Sequence, residues 1–263
     1  MDLYNRRLMP WFKYAIAIIF INLFTVVHAQ MDLGLESLVR SFPQAIYLKA
    51  TSGYSIPLWE KREKSPVLYS FVRPMVSMRT IGIINAFDTR LEIYPISFLG
   101  IVAGRETVLR EAKSLSTFDC TVIDCQGRVT KDYIGARMAL KYKSTFFMAD
   151  MRTIALSFNR PNRRFSDELS TLEAGPSKDH LVNVIGILGQ EINDHYATAL
   201  MHMENSMQNT SQKSSMTFLL MQKKSQAQTF LAGPGIFNTR TDSQVFSLLF
   251  LWNWKPEKGL LLF

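Results

Sequence analysis

The feature that most constrains this chain is alternation. Ile134, Ala136, Met138, Leu140 and Tyr142 are interleaved with Gly135, Arg137, Ala139, Lys141 and Lys143. In extended backbone successive side chains point to opposite sides, so the two sets face opposite ways. Ala197, Ala199, Met201 and Met203 repeat the scheme against Thr198, His202 and Glu204, and Phe246, Leu248, Phe250, Trp252 and Trp254 make one face that is apolar throughout. Similar grammar predicts strands over Ala45–Thr51, Pro66–Met75, Thr80–Phe87, Thr89–Tyr94, Phe98–Glu106, Thr145–Phe158, Leu181–Glu191, Ser215–Lys223 and Thr229–Phe237. A soluble sheet accounts for any one of these segments, with its apolar face in a core. It accounts less well for the whole set of about 10–12.

The long apolar run lies elsewhere. Arg6, Arg7 and Lys13 precede an apolar stretch from Tyr14 to Val27, and Val27-His28-Ala29 stands before Gln30. This is the layout of a secretory signal peptide, and the run is short against the roughly 20 residues of a bilayer-spanning helix. Residues 1–29 are therefore expected to direct export and to be cleaved after Ala29. An uncleaved anchor, extended by Leu8, Met9, Trp11 and Phe12, is the alternative. Residues 30–44 then form a short N-terminal segment, with Leu33–Phe42 as a helical stretch, and residues 45–263 one domain with no linker rich in Pro, Gly or Ser.

The formal charge of +8 is scattered along the chain. For an exported protein without a basic arm, that argues against nucleic acid and toward acidic lipid headgroups or anionic solutes. The two cysteines stand in Cys120-Thr121-Val122-Ile123-Asp124-Cys125. In an oxidising compartment they read as a small disulfide loop. Zinc is the competing reading, but it usually takes four ligands and no histidine is close in sequence.

The connections fall into two kinds. Tyr94-Pro95-Ile96-Ser97, Asn193-Asp194 and Lys223-Lys224-Ser225-Gln226 are tight, whereas Asn159–His180, Glu204–Ser214 and Arg105–Thr130 are long and polar. Short turns at one end and long loops at the other are the asymmetry of an outer-membrane barrel. In these respects the chain resembles bacterial outer-membrane β-barrel proteins. The final Phe263, with Leu261 two residues before it, matches the C-terminal pattern that in this class is read by the barrel-assembly machinery. Lys255-Pro256-Glu257-Lys258-Gly259 interrupts that pattern, so the closing strand is either Gly259–Phe263 alone or a longer segment with Pro256 at a bulge. The resemblance implies an all-β, antiparallel transmembrane β-barrel with short periplasmic turns and longer outer loops, located in the bacterial outer membrane and surrounded by its lipid.

Two non-enzymatic functions fit such a barrel: a small channel, or a structural or surface-interaction protein. For the channel, Arg137, Lys141, Lys143, Arg152 and Lys223 are expected to face the lumen and favour anionic solutes. A barrel of this size is also narrow enough to be filled by side chains. An outer-membrane enzyme with a rim active site is an alternative, and a soluble exported barrel or sandwich that binds a ligand is another. Of the histidines beyond residue 29, His180 and His195 each follow an aspartate, but strand neighbours point apart, so neither pair makes a dyad. The chain has no Gly-x-Ser-x-Gly elbow, Walker loop or His-Glu-x-x-His motif. No catalytic, cofactor-binding or metal residues are therefore expected, and Leu231-Ala232-Gly233-Pro234-Gly235 is expected to be a bend or turn.

Overall fold

In the computed structural model, which describes residues 30–59, 68–115 and 117–256, the alternating segments pair edge to edge. They run in chain order as β1 Gln30–Arg40, β2 Ala45–Trp59, β3 Ser70–Thr80, β4 Ile84–Ile96, β5 Leu99–Glu111, β6 Gln126–Tyr142, β7 Thr145–Phe158, β8 Phe165–Asp167, β9 Leu172–Ala174, β10 Lys178–Glu191, β11 Tyr196–Met207, β12 Lys213–Ser225, β13 Gln228–Asn238 and β14 Val245–Trp254. Twelve of them form a closed antiparallel barrel, each beside its chain neighbour; β8 and β9 make a separate hairpin between β7 and β10. Closure is made by β1, which pairs with β2 and, from Leu35↔Trp254 to Arg40↔Leu249, with β14.

Residue parity decides what each face meets. Leu35, Leu48, Met78, Phe87, Ile101, Ile134, Leu188, Leu219 and Phe250 are exposed on the outer surface, while Arg73, Arg79, Asp88, Glu92, Arg110 and Lys131 are buried inside. Water would favour the reverse distribution. Lipid favours this one, because a closed barrel satisfies its backbone internally and can present apolar side chains outward. The shortest wall strand, β14, has 10 residues, within the roughly 9–11 needed for a tilted crossing. The protein is a transmembrane β-barrel of the outer-membrane type.

At one end the connections 97–98, 143–144, 192–195 and 226–227 are tight, and both Gln30 and Trp254 lie there, as does the longer connection 60–69, most of which is outside the described residues. At the other end stand the long connections 112–125 and 159–177. That asymmetry follows the sequence reading, but several local expectations need correction. Leu33–Phe42 is not helical: Gln30–Arg40 is a wall strand, so the barrel begins well before Ala45. Leu35, Leu38 and Val39 have helical spacing, yet Glu36 and Arg40 belong to the polar inner face.

Thr80–Phe87 and Thr89–Tyr94 are not separate strands. The chain turns at 81–83, where Gly82 takes φ +84°, and Asp88 sits inside a continuous β4. Leu231–Gly235 is no turn but part of β13. A Cβ on Gly233 would collide with the Leu219 carbonyl, and Pro234 has no N–H to give, so the β12–β13 pairing lapses between Phe218↔Gly235 and Met221↔Ala232 while the register stays the same. On β11 the faces are the reverse of those around Ile134: Ala197 and Ala199 are buried inside, and exposed Leu200 shares the outer face with His202. The closing strand is β14; residues 257–263, with Leu261 and Phe263, lie outside the described residues, as do residues 1–29.

Candidate functional site

The connection 159–177 does not extend outward. Its hairpin, β8–β9, folds into the barrel mouth at the long-loop end. Phe165, Leu172 and Ala174 are fully buried and join Ile84, Val108, Val129, Leu156, Leu181 and Met207 of the inner wall in one apolar cluster. Phe165 stacks on Phe158 with ring centroids 4.9 Å apart. Arg110 lies over both rings and donates through Nη1 to the carbonyl and hydroxyl of Ser166.

Charge fixes the same hairpin more deeply. Lys131 Nζ donates to Asp167 and stands 3.7 Å from Glu168 and 3.8 Å from Glu106. Arg79 pairs with Glu106 at 3.0 Å and Glu168 at 3.5 Å. Burial alone would push the Asp167 carboxyl up; the Lys131 ammonium and the Ser170 donors outweigh it and hold it at about 2. Outside the mouth, Cys120 and Cys125 are disulfide-bonded. Between them Asp124 accepts from Arg160 Nη1 at 3.1 Å and Arg163 Nε at 3.0 Å, which ties the cysteine loop to the plugging loop.

Beneath the plug, one half of the lumen carries a ladder of ion pairs. Glu92 of β4 sits 2.7 Å from Arg73, 2.9 Å from Arg90 and 3.6 Å from Arg137. Asp150 of β7 is 2.8 Å from both Arg137 and Arg152. Asp88 lies 3.2 Å from Arg90 and accepts from Tyr133 Oη at 2.6 Å, and Asp32 of β1 stands 3.5 Å from Arg73. At the short-turn rim Glu191 bridges Lys141 and Lys224.

The opposite half, on β10 to β14, is apolar at mid-barrel. Met216, Phe218, Leu220, Phe237 and Leu249 form a buried cluster against Leu38, Phe42, Met201, Met203 and Leu231. The interior between the halves is not packed solid: Tyr47, Lys49, Met148, Arg152, Ile185, Ile187, Met201, Met203 and Leu231 all keep partial exposure.

Of the basic residues expected to line the lumen, Arg137, Lys141 and Arg152 point inward and pair with carboxylates. Lys143 does not belong to a wall face: it occupies the β6–β7 turn with φ +54°. Lys223 is exposed and shares its parity with outward Leu219 and Met221; its neighbour Lys224 is the inward lysine. Of the acidic residues whose alternation with basic ones suits a polar lumen, Asp150 and Glu191 are inside and Glu204 is on the outer face. Asp88, Glu92 and Glu106 carry no motif, and only the parity of a continuous β4 aligns the first two with the lumen. The described histidines do not converge: His180 and His202 lie on the outer face, and His195 is in a short turn.

No protein-family model matches the chain, and no curated protein matches it. Among solved structures, the NanC porin shares 12% identity over 84% of this chain and 97% of that one, with a TM-score of 0.45. OmpT of Vibrio cholerae, expressed in the outer membrane, shares 8% over 86% and 97%, with a TM-score of 0.43. The translocator domain of the autotransporter NalP from Neisseria meningitidis shares 8% over 94% and 95%, with a TM-score of 0.41. Similarity at this level is that of barrel to barrel.

Proposed function

We propose that the protein is a non-enzymatic passage for small solutes across the bacterial outer membrane, closed at its outer mouth by the inward-folded connection 159–177. The observation that carries this reading is the partly accessible lumen beneath a plug held by side chains and by one backbone bridge to the cysteine loop, outside the wall's own strand pairing. A barrel meant only as a structural post has no need to keep mid-barrel side chains from packing. The lumen arginines Arg73, Arg90, Arg137 and Arg152 are matched by Asp32, Asp88, Glu92 and Asp150, so the pathway discriminates weakly among ions.

The test is conductance in planar bilayers, comparing wild-type protein with a variant lacking residues 163–176. Wild type is expected to give rare, small steps and the shortened variant sustained ones. Heat-modifiable migration on a gel establishes that the variant is folded. No stepwise current from that folded variant would remove the passage reading and leave a structural barrel.

A further inference from the structure

Among the described residues the outer wall carries two ion pairs: Lys213–Glu204, close to the long-loop ends of β11 and β12, and Arg105–Asp132, midway along β5. Arg105 and Asp132 are register partners on β5 and β6, and both point outward. Arg105 Nε lies 2.5 Å from Asp132 Oδ1, and Nη2 donates to Oδ2 at 3.1 Å. Their side chains are 64% and 49% exposed. Arg105 stands at the midpoint of β5, with exposed Ile101 and Leu109 along the same outer face. Charge on a lipid-facing wall is costly away from the interfaces, and charged residues at membrane depth normally mark a function or a partner.

The wall beside the pair is recessed. Ser52, Pro74, Thr89 and Ala103 are among the residues of a groove that crosses β2 to β5 and reaches Arg105 and Asp132. On the other side of the pair, β6 and β7 present Ile134 and Met151, both more than half exposed.

We propose that this face is where a second copy of the chain docks. A two-fold axis along the membrane normal, passing between β5 and β6, keeps both copies in the same orientation. Facing surfaces are then reversed left to right, so each Arg105 meets the other copy's Asp132, and each groove meets the other copy's Ile134 and Met151. The patch is self-complementary in charge and in relief, which is what an isologous interface requires. A three-fold arrangement would not oppose the patch to itself.

Single-molecule photobleaching of singly labelled protein in lipid bilayers tests this. Wild type is expected to bleach in two steps. Arg105→Asp alone and Asp132→Arg alone each place like charges across the axis and are expected to lose the dimer. Mixing those two variants restores opposite charges only between copies, never within one barrel, and is expected to bring two-step bleaching back. Monomeric wild type would assign the groove to lipid and overturn the proposal. Folded single variants that remain dimeric, or a mixture that stays monomeric, would overturn it as well.

Discussion

The two halves of the lumen are filled with opposite chemistry. On β1 to β7, buried arginines and carboxylates hold one another through shared partners, so that Glu92 alone serves Arg73, Arg90 and Arg137. On β10 to β14, Phe218, Leu220, Met203 and their neighbours meet through non-directional contact. The difference teaches where the barrel is rigid. A paired charge cannot shift without leaving another charge unpaired in a poorly solvated space, whereas methionine and leucine can repack. The plug hairpin joins both regimes, with Phe165 in an apolar cluster and Asp167 on Lys131.

Near-isosteric substitutions on the two halves put this contrast to the test. Glu92→Gln keeps the shape and removes the charge that three arginines share. It is expected to have the largest effect, a loss of about 3–5 kcal/mol, because it leaves buried cations uncompensated. Urea unfolding of the reconstituted barrel, followed by tryptophan fluorescence, measures it. A loss below about 1 kcal/mol would mean that the ladder is well hydrated and is not a rigid element.

The plug comes next. Asp167→Asn keeps a side chain in place but weakens the bond to Lys131, and is expected to cost plug docking about 1.5–3 kcal/mol. The same carboxylate makes docking sensitive to acid. Because its docked pKa is depressed, its contribution is fully present above the free value of about 3.9 and is lost as pH falls toward about 2. Wild-type conductance is therefore expected to be closed at pH 5 and to rise between pH 4 and 2, with the rise reduced in Asp167→Asn. A current independent of pH across that window would detach plug docking from this ion pair.

The same contrast explains how much could be read in the sequence. Alternation exposed the wall wherever the outer residues were large and apolar, as in Ile134 to Tyr142. It misled where the inner face was apolar too: on β11 the set Ala197 to Met203 looks like a lipid face and is the lumen. In β1 the spacing of Leu35, Leu38 and Val39 imitated a helix because Leu38 joins an interior cluster. The plug was illegible for another reason. Phe165 and Leu172 lie in a loop whose charged residues suggested solvent, and only the long-range partners Arg110 and Lys131 show that the loop turns inward.

On the apolar half, Met203→Leu is expected to cost less than about 1.5 kcal/mol, since leucine replaces methionine with little change in volume. Unfolding under the conditions used for Glu92→Gln gives the comparison directly. Equal losses at the two sites would show that both halves are equally specific in their packing and would end the distinction drawn between them.

The smallest effect is expected at Lys223. It stands on the outer face of β12 beside Met221, so Lys223→Gln is expected to change stability by no more than about 0.5 kcal/mol. It should also leave the ion selectivity of the plug-deleted barrel unchanged. Arg137→Gln, one of the inward positions, is the matched control and is expected to move selectivity toward cations, because Glu92 and Asp150 then lose a shared positive partner. Reversal potentials across a salt gradient read both variants. A shift caused by Lys223→Gln as large as that caused by Arg137→Gln would place Lys223 on the conduction path and reverse the facing of β12.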